Sequence, residues 1–120
     1  MTSPAVQPAQ EFAGKTAIVT GGSGGIGRAI AAAFAWAGAD VVIAARNNEA
    51  AERSAAAIRR ETGARLAVIR TDVGVPAECA KLIDAAIAAF GAADILVNNA
   101  ALFALVPLLD ATSEDASRFF

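Results

Sequence analysis

Residues 16–30 read Thr16-Ala17-Ile18-Val19-Thr20-Gly21-Gly22-Ser23-Gly24-Gly25-Ile26-Gly27-Arg28-Ala29-Ile30. The apolar start, Thr16 to Val19, has the character of a buried strand in a parallel sheet. Ile26, Ile30, Ala33, Phe34 and Ala37 recur at helical spacing, so an amphipathic helix is expected immediately after the glycines. The local order is strand, glycine turn, helix. It points the free N–H groups and partial positive charge of a helix N-terminus above the strand end, where a phosphate is the natural occupant. Glycine suits the turn because it lets backbone approach closely and accepts positive φ.

Two phosphate-binding patterns can be compared with this stretch. A P-loop requires lysine and then serine or threonine after its last glycine. Arg28 and Ala29 stand there, so the lysine and the magnesium-holding hydroxyl are both missing. A dinucleotide site requires a preceding strand, a following helix and a ribose-reading residue about 20 positions on. Arg46 lies nineteen positions after Gly27, at the end of the next apolar run, Val41-Val42-Ile43-Ala44-Ala45.

Outward from the turn, strands and helices alternate. The first helix is expected to span about Gly25 to Ala37 and to stop at Gly38. Asn47 can cap a second helix, with Ala51, Ala55 and Ile58 inward, a charged outer face, and Gly63 at its end. Leu66-Ala67-Val68-Ile69 is a third strand. Pro76 suits the first turn of a third helix, whose inner face reads Cys79, Ile83, Ala86, Ile87 and Phe90 and which closes at Gly91. Ile95-Leu96-Val97 is a fourth strand and leads into Asn98-Asn99-Ala100-Ala101. Leu102 to Leu109 is apolar and irregular, and Thr112 or Ser113 can cap a last helix. This alternation predicts an α/β fold of the Rossmann type, a parallel sheet in the order 3-2-1-4 with helices on both faces. The binding crevice then lies between the first and fourth strands, above their C-terminal ends.

Composition narrows the chemistry. A chain of 120 residues that is 56% hydrophobic and 18% charged suits one domain with a real core. The expected organisation is a disordered tail over 1–12 and a dinucleotide-binding half-domain over 13–120. The net charge of −2 gives no reason to expect nucleic acid or an acidic membrane as partner. Met1 to Phe12 has no apolar core of the kind a secretory signal needs, and no apolar run reaches spanning length. The single cysteine, Cys79, cannot form an internal disulfide. It fits a reducing compartment, and a cytoplasmic location is expected. With no histidine, neither a Ser-His-Asp triad nor a His/Cys metal site can be built, and no metal is expected. There is no tyrosine either.

The T-G-x-x-x-G-x-G spacing of Thr20-Gly21 to Gly25-Ile26-Gly27 resembles the short-chain dehydrogenase/reductase family. The resemblance runs from about Gly14 to the end of the chain, roughly the first half of a family member. It implies a nicotinamide dinucleotide cradled by Gly21, Ser23, Gly24, Gly25, Ile26 and Gly27. An acidic residue after the second strand would accept a bond from a free ribose 2′-hydroxyl. Arg46 stands there instead and matches a 2′-phosphate, which favours NADP(H) over NAD(H). In the family an Asp-Val pair after the third strand receives the adenine, a role that falls here to Asp72 and Val73. A turn-stabilising Asp72 is the competing assignment. Asn98, Asn99 and Ala100 resemble an Asn-Asn-Ala-Gly motif that borders the cofactor ribose, with Ala101 in place of the final glycine.

Family members exchange hydride between nicotinamide and a carbonyl or alcohol carbon, using a serine and a Tyr-x-x-x-Lys pair for proton transfer. None of these residues maps onto this chain, so no catalytic residue is assigned. The resemblance therefore implies a small carbonyl or alcohol substrate and a homo-oligomeric full-length form, with these 120 residues expected to be an incomplete part. The alternatives are a non-catalytic dinucleotide-binding module or an inactive truncated product. A methyltransferase on a related sheet usually carries an acidic residue beside its first glycines, where this chain has Thr20.

Overall fold

The computed structural model describes residues 10–99; Ala100 and the expected last helix lie outside them. Four strands form one parallel sheet: β1 (Thr16–Thr20), β2 (Asp40–Ala45), β3 (Leu66–Arg70) and β4 (Ile95–Val97). Three helices connect them: α1 (Gly25–Trp36), α2 (Asn48–Thr62) and α3 (Pro76–Phe90). The sheet order is β3-β2-β1-β4, as the alternation of elements predicts. Thr20 pairs with Ala44, Ala45 with Arg70, and Val19 with Val97, so all four strands end along one edge.

Alternate residues of the central strands build a core on each face. Val19, Val41, Ile43, Ala45 and Leu66 pack against Ala31 and Ala35 of α1 and Ala51, Ala55 and Ile58 of α2. Ile18, Val42 and Ala44 pack against Leu82 and Ala86 of α3. Ile18, Ile43 and Ile58 are fully buried; each contributes about 1.5–3 kcal/mol relative to exposure. The start of β4 is fixed by Asp94, whose Oδ2 accepts the Thr16 N–H at 2.9 Å and whose own N–H donates to the Thr16 carbonyl at 3.0 Å. At the outer pair of strands Arg65 donates two bonds to the Asp40 carboxylate. That hydrogen bond, and then the attraction of the charge, raises the Arg65 pKa further.

The helix ends follow the sequence signals. Asn47 Oδ1 accepts the Ala50 N–H at 3.1 Å and starts α2. Gly63 and Gly91 end α2 and α3 in the left-handed conformation, at φ +72 and +86. The Asn47 cap carries a direct prediction. Asn47→Ala should lower stability by about 1 kcal/mol, measurable as a reduced urea midpoint at unchanged slope.

Two helix faces differ from the periodicity. The buried stripe of α1 is Gly27, Ala31 and Ala35, whereas Ile26 is 75% exposed and Ala33 is exposed. Nearly every residue of α1 is apolar, so periodicity could not select a face. The small residues face the sheet because they allow the helix axis to approach the turn. In α3 the buried residues are Leu82 and Ala86, while Ile83 and Ile87 are exposed at 37% and 46%. At the start of the described residues, the Phe12 N–H donates to the Ala37 carbonyl at 3.0 Å and the Phe12 ring lies 5.2 Å from that of Phe34.

Candidate dinucleotide site

Every sequence-assigned site residue within 10–99 follows the C-terminal end of a strand on the same sheet edge. The turn after β1 holds Gly21 to Gly24, with Gly25, Ile26 and Gly27 in the first turn of α1. Arg46 follows β2, Asp72 and Val73 follow β3, and Asn98 and Asn99 follow β4. After β3 the chain crosses back past β2 and β1 to place β4, so β1 and β4 leave in opposite directions. That reversal is where parallel sheets open a crevice.

The glycine turn is held by protein on its inner side. The Gly21 N–H donates to the Ala44 carbonyl at 2.8 Å, with Gly21 at φ +70. The Asn99 side-chain amide donates to the Gly21 carbonyl at 3.3 Å. The Asn99 N–H donates to the Thr20 hydroxyl at 2.9 Å, and that hydroxyl donates to the Val97 carbonyl at 3.3 Å. Asn99 thus joins the end of β4 to the end of β1 across the crevice base, which explains a half-buried asparagine there.

The outer side differs. Gly24 caps α1 in extended conformation, no side chain caps the helix, and its first turn carries no acidic residue. Among the described residues, the N–H groups of Gly22, Ser23, Gly24, Gly25 and Ile26 take no protein acceptor. A Cβ on Gly24 or Gly25 would meet nothing within 4 Å, so the turn is open above these positions. A Cβ on Gly27 would lie 2.2 Å from the Gly21 carbonyl oxygen and 2.4 Å from Asn99 Nδ2. Gly27 is therefore required for α1 to sit against the turn. A row of N–H donors that opens at Gly24 and Gly25, at an uncapped, cation-like helix end, fits a pyrophosphate.

Arg46 is exposed and makes no hydrogen bond or ion pair among the described residues. Its guanidinium is available to an anion beside the turn. Asp72 Oδ1 accepts the Gly74 N–H at 2.9 Å, which is the turn-stabilising role. Its second oxygen bonds nothing among the described residues, so one carboxylate oxygen remains for a ligand donor. The Glu78 carboxylate accepts the Asp72 N–H at 2.9 Å and steadies the start of α3, where Val75 offers no side-chain cap. Val73 is 40% exposed. Asn98 is exposed.

Two functional groups escaped the sequence. The Thr20 hydroxyl joins the ends of β1 and β4. Ser54, buried in α2, donates to the Ser23 carbonyl at 2.5 Å. A serine inside the stripe Ala51-Ser54-Ala55-Ile58 was the available signal, because a buried hydroxyl requires an acceptor. Cys79 is half-buried and donates to the Val73 carbonyl at 3.3 Å. No helix among the described residues is long and apolar enough to cross a membrane.

Comparison with known proteins agrees with this fold. Residues 15–120 match the family model described as short chain dehydrogenase. A sorbitol dehydrogenase of Cereibacter sphaeroides is 44% identical over 107 residues, which cover 89% of this chain and 40% of that protein. A short chain dehydrogenase/reductase of Macrophomina phaseolina is 44% identical over 94 residues, 78% of this chain and 54% of that one. The crystal structure of L-sorbose reductase from Gluconobacter frateurii, complexed with NADPH and L-sorbose, superposes with a TM-score of 0.81 at 34% identity. That superposition covers 90% of this chain and 41% of the reductase. The chain therefore spans about half or less of the length of these relatives.

Proposed function

Since this chain belongs to the short-chain dehydrogenase family, we propose that it forms the NADP(H)-binding part of an oxidoreductase. The whole protein would exchange hydride with a carbonyl or alcohol carbon of a small substrate. The observation that carries the cofactor reading is the row of N–H groups from Gly22 to Ile26 with no acceptor among the described residues, open at Gly24 and Gly25, above a turn held tightly from below. In this reading those N–H groups donate to the pyrophosphate. Arg46 pairs with the 2′-phosphate, and its lack of any partner among the described residues favours that role. Asp72 and Val73 receive the adenine. Asn98, Asn99 and Ala100 border the ribose; Ala100 lies outside the described residues. When bound, the nicotinamide supplies the hydride donor or acceptor. These residues bind and orient it; they provide no proton donor of the tyrosine kind.

NADPH should stabilise the protein by mass action. At a hundred times its dissociation constant the gain is about 2.7 kcal/mol, read as a raised melting temperature. NADH at the same concentration should give a smaller rise. No shift with either dinucleotide would refute the cofactor reading, and a larger shift with NADH would refute the 2′-phosphate assignment alone. We further propose that the whole protein works as a homo-oligomer in the cytoplasm, without metal, nucleic acid or membrane.

A further inference from the structure

We infer that Ser54 is a positioning residue that aims the Gly24 N–H into the phosphate cradle. The inference rests on the dinucleotide reading above and goes beyond it by bringing α2 into the site. Ser54 is 4% exposed. It shares its helix face with Ala51, Ala55 and Ile58, all of which pack into the apolar core. Its hydroxyl donates to the carbonyl of Ser23, thirty-one residues earlier in the chain.

The Ser23 carbonyl and the Gly24 N–H belong to one planar peptide unit. No cis peptide bond occurs among the described residues. In a trans peptide the C=O and N–H point in opposite directions. Anchoring the Ser23 oxygen on α2 therefore turns the Gly24 N–H away from α2. Gly24 is the N-cap of α1 and is followed by Gly25 at φ +58, in a turn that begins with Gly21 at φ +70, so the turn has little steric preference of its own. A peptide plane in such a turn can flip, and a flip would present a carbonyl where the site needs a donor. The Ser54 hydroxyl holds the donor orientation before the ligand arrives, which reduces the ordering cost of binding.

The test uses the full chain with Ser54→Ala and Ser54→Thr. Ser54→Ala removes one oxygen and leaves the apolar packing of α2 in place. NADPH affinity should fall roughly three- to tenfold, the size expected for losing one organising hydrogen bond. The melting temperature of the ligand-free protein should fall little. Ser54→Thr keeps the hydroxyl and should restore the affinity. Nitrogen–proton correlation spectra give a readout that a merely structural role would not move. In the parent, the Gly24 amide resonance should shift on NADPH addition. At saturation the shift should be smaller in Ser54→Ala and recover in Ser54→Thr. Unchanged affinity in Ser54→Ala overturns the proposal, as does a Gly24 amide that ignores the ligand in the parent. A folded Ser54→Thr protein that binds no better than Ser54→Ala also counts against it. If the parent prefers NADH, the same series is run with NADH, so an error about Arg46 does not confuse the result. A parent that binds neither dinucleotide overturns the cofactor reading and this inference together.

Discussion

Gly27→Ala should abolish measurable dinucleotide binding and destabilise the chain, although it adds a single methyl group. The new Cβ would lie 2.2 Å from the Gly21 carbonyl oxygen, 2.9 Å from its carbon and 2.4 Å from Asn99 Nδ2. Two of these atoms are backbone, so no side-chain rotation relieves the overlap. Either α1 shifts off the turn or the turn swings away from β4. Overpacking of this kind costs about 1–3 kcal/mol. Both movements displace the row of N–H donors, each worth about 1.5–3 kcal/mol to a charged acceptor. Losing alignment of even two lowers affinity by at least ~100-fold. Gly24→Ala is the internal comparison for stability. Its Cβ meets nothing within 4 Å and its φ of −165 suits any residue. Thermal melts of the two variants should separate clearly, with only Gly27→Ala strongly lowered. Equal melting temperatures would show that α1 does not sit against the turn as described.

Arg46→Asp should reverse the cofactor preference. The substitution removes the guanidinium that we assign to the 2′-phosphate and puts a carboxylate in its place. The lost charge-assisted bond is worth about 1.5–3 kcal/mol, or roughly 10- to 150-fold in NADPH affinity. Repulsion of the phosphate adds to that loss, and a carboxylate here can accept a free 2′-hydroxyl. The NADPH-to-NADH affinity ratio should therefore fall by about 100-fold or more, with NADH affinity held or improved. Side-by-side titrations of both dinucleotides measure this directly. Because Arg46 is exposed and bonds nothing among the described residues, fold stability should change little. A ratio that does not move would remove Arg46 from the site and leave the pyrophosphate reading intact.

Much of this fold is legible in short-range signals because each acts locally. Val41 to Ala45 reads as a buried strand, and Asn47, Gly63 and Gly91 mark the helix ends where capping puts them. The glycine spacing points to the turn because positive φ and close approach are properties of single residues. What was not legible depends on partners far away. The innermost stripe of α1 is Gly27-Ala31-Ala35; of the more apolar residues that hydropathy favours, Ile30 and Phe34 pack partly buried beside it, while Ile26 is 75% exposed. Tight approach to the turn selected the small residues. Similarly, α3 buries Leu82 where periodicity pointed to Ile83 and Ile87. The sequence allows Asp72 two roles, and the structure shows one of them, the bond from the Gly74 N–H. Ser54 and the Thr20 hydroxyl could not be assigned from sequence, since their partners, Ser23, Val97 and Asn99, are known only from the fold.

The bonds from Asn99 to Thr20 and Gly21 join residues 79 and 78 positions apart. A nascent chain that has just released its glycines from the ribosome therefore carries the motif without its brace. The cradle is completed only when the strand beginning at Ile95 has emerged and closed that long loop, a step that entropy makes late. Until then the turn lacks the partner that seats it, so recognition of a dinucleotide is deferred until the fourth strand has been synthesised and paired.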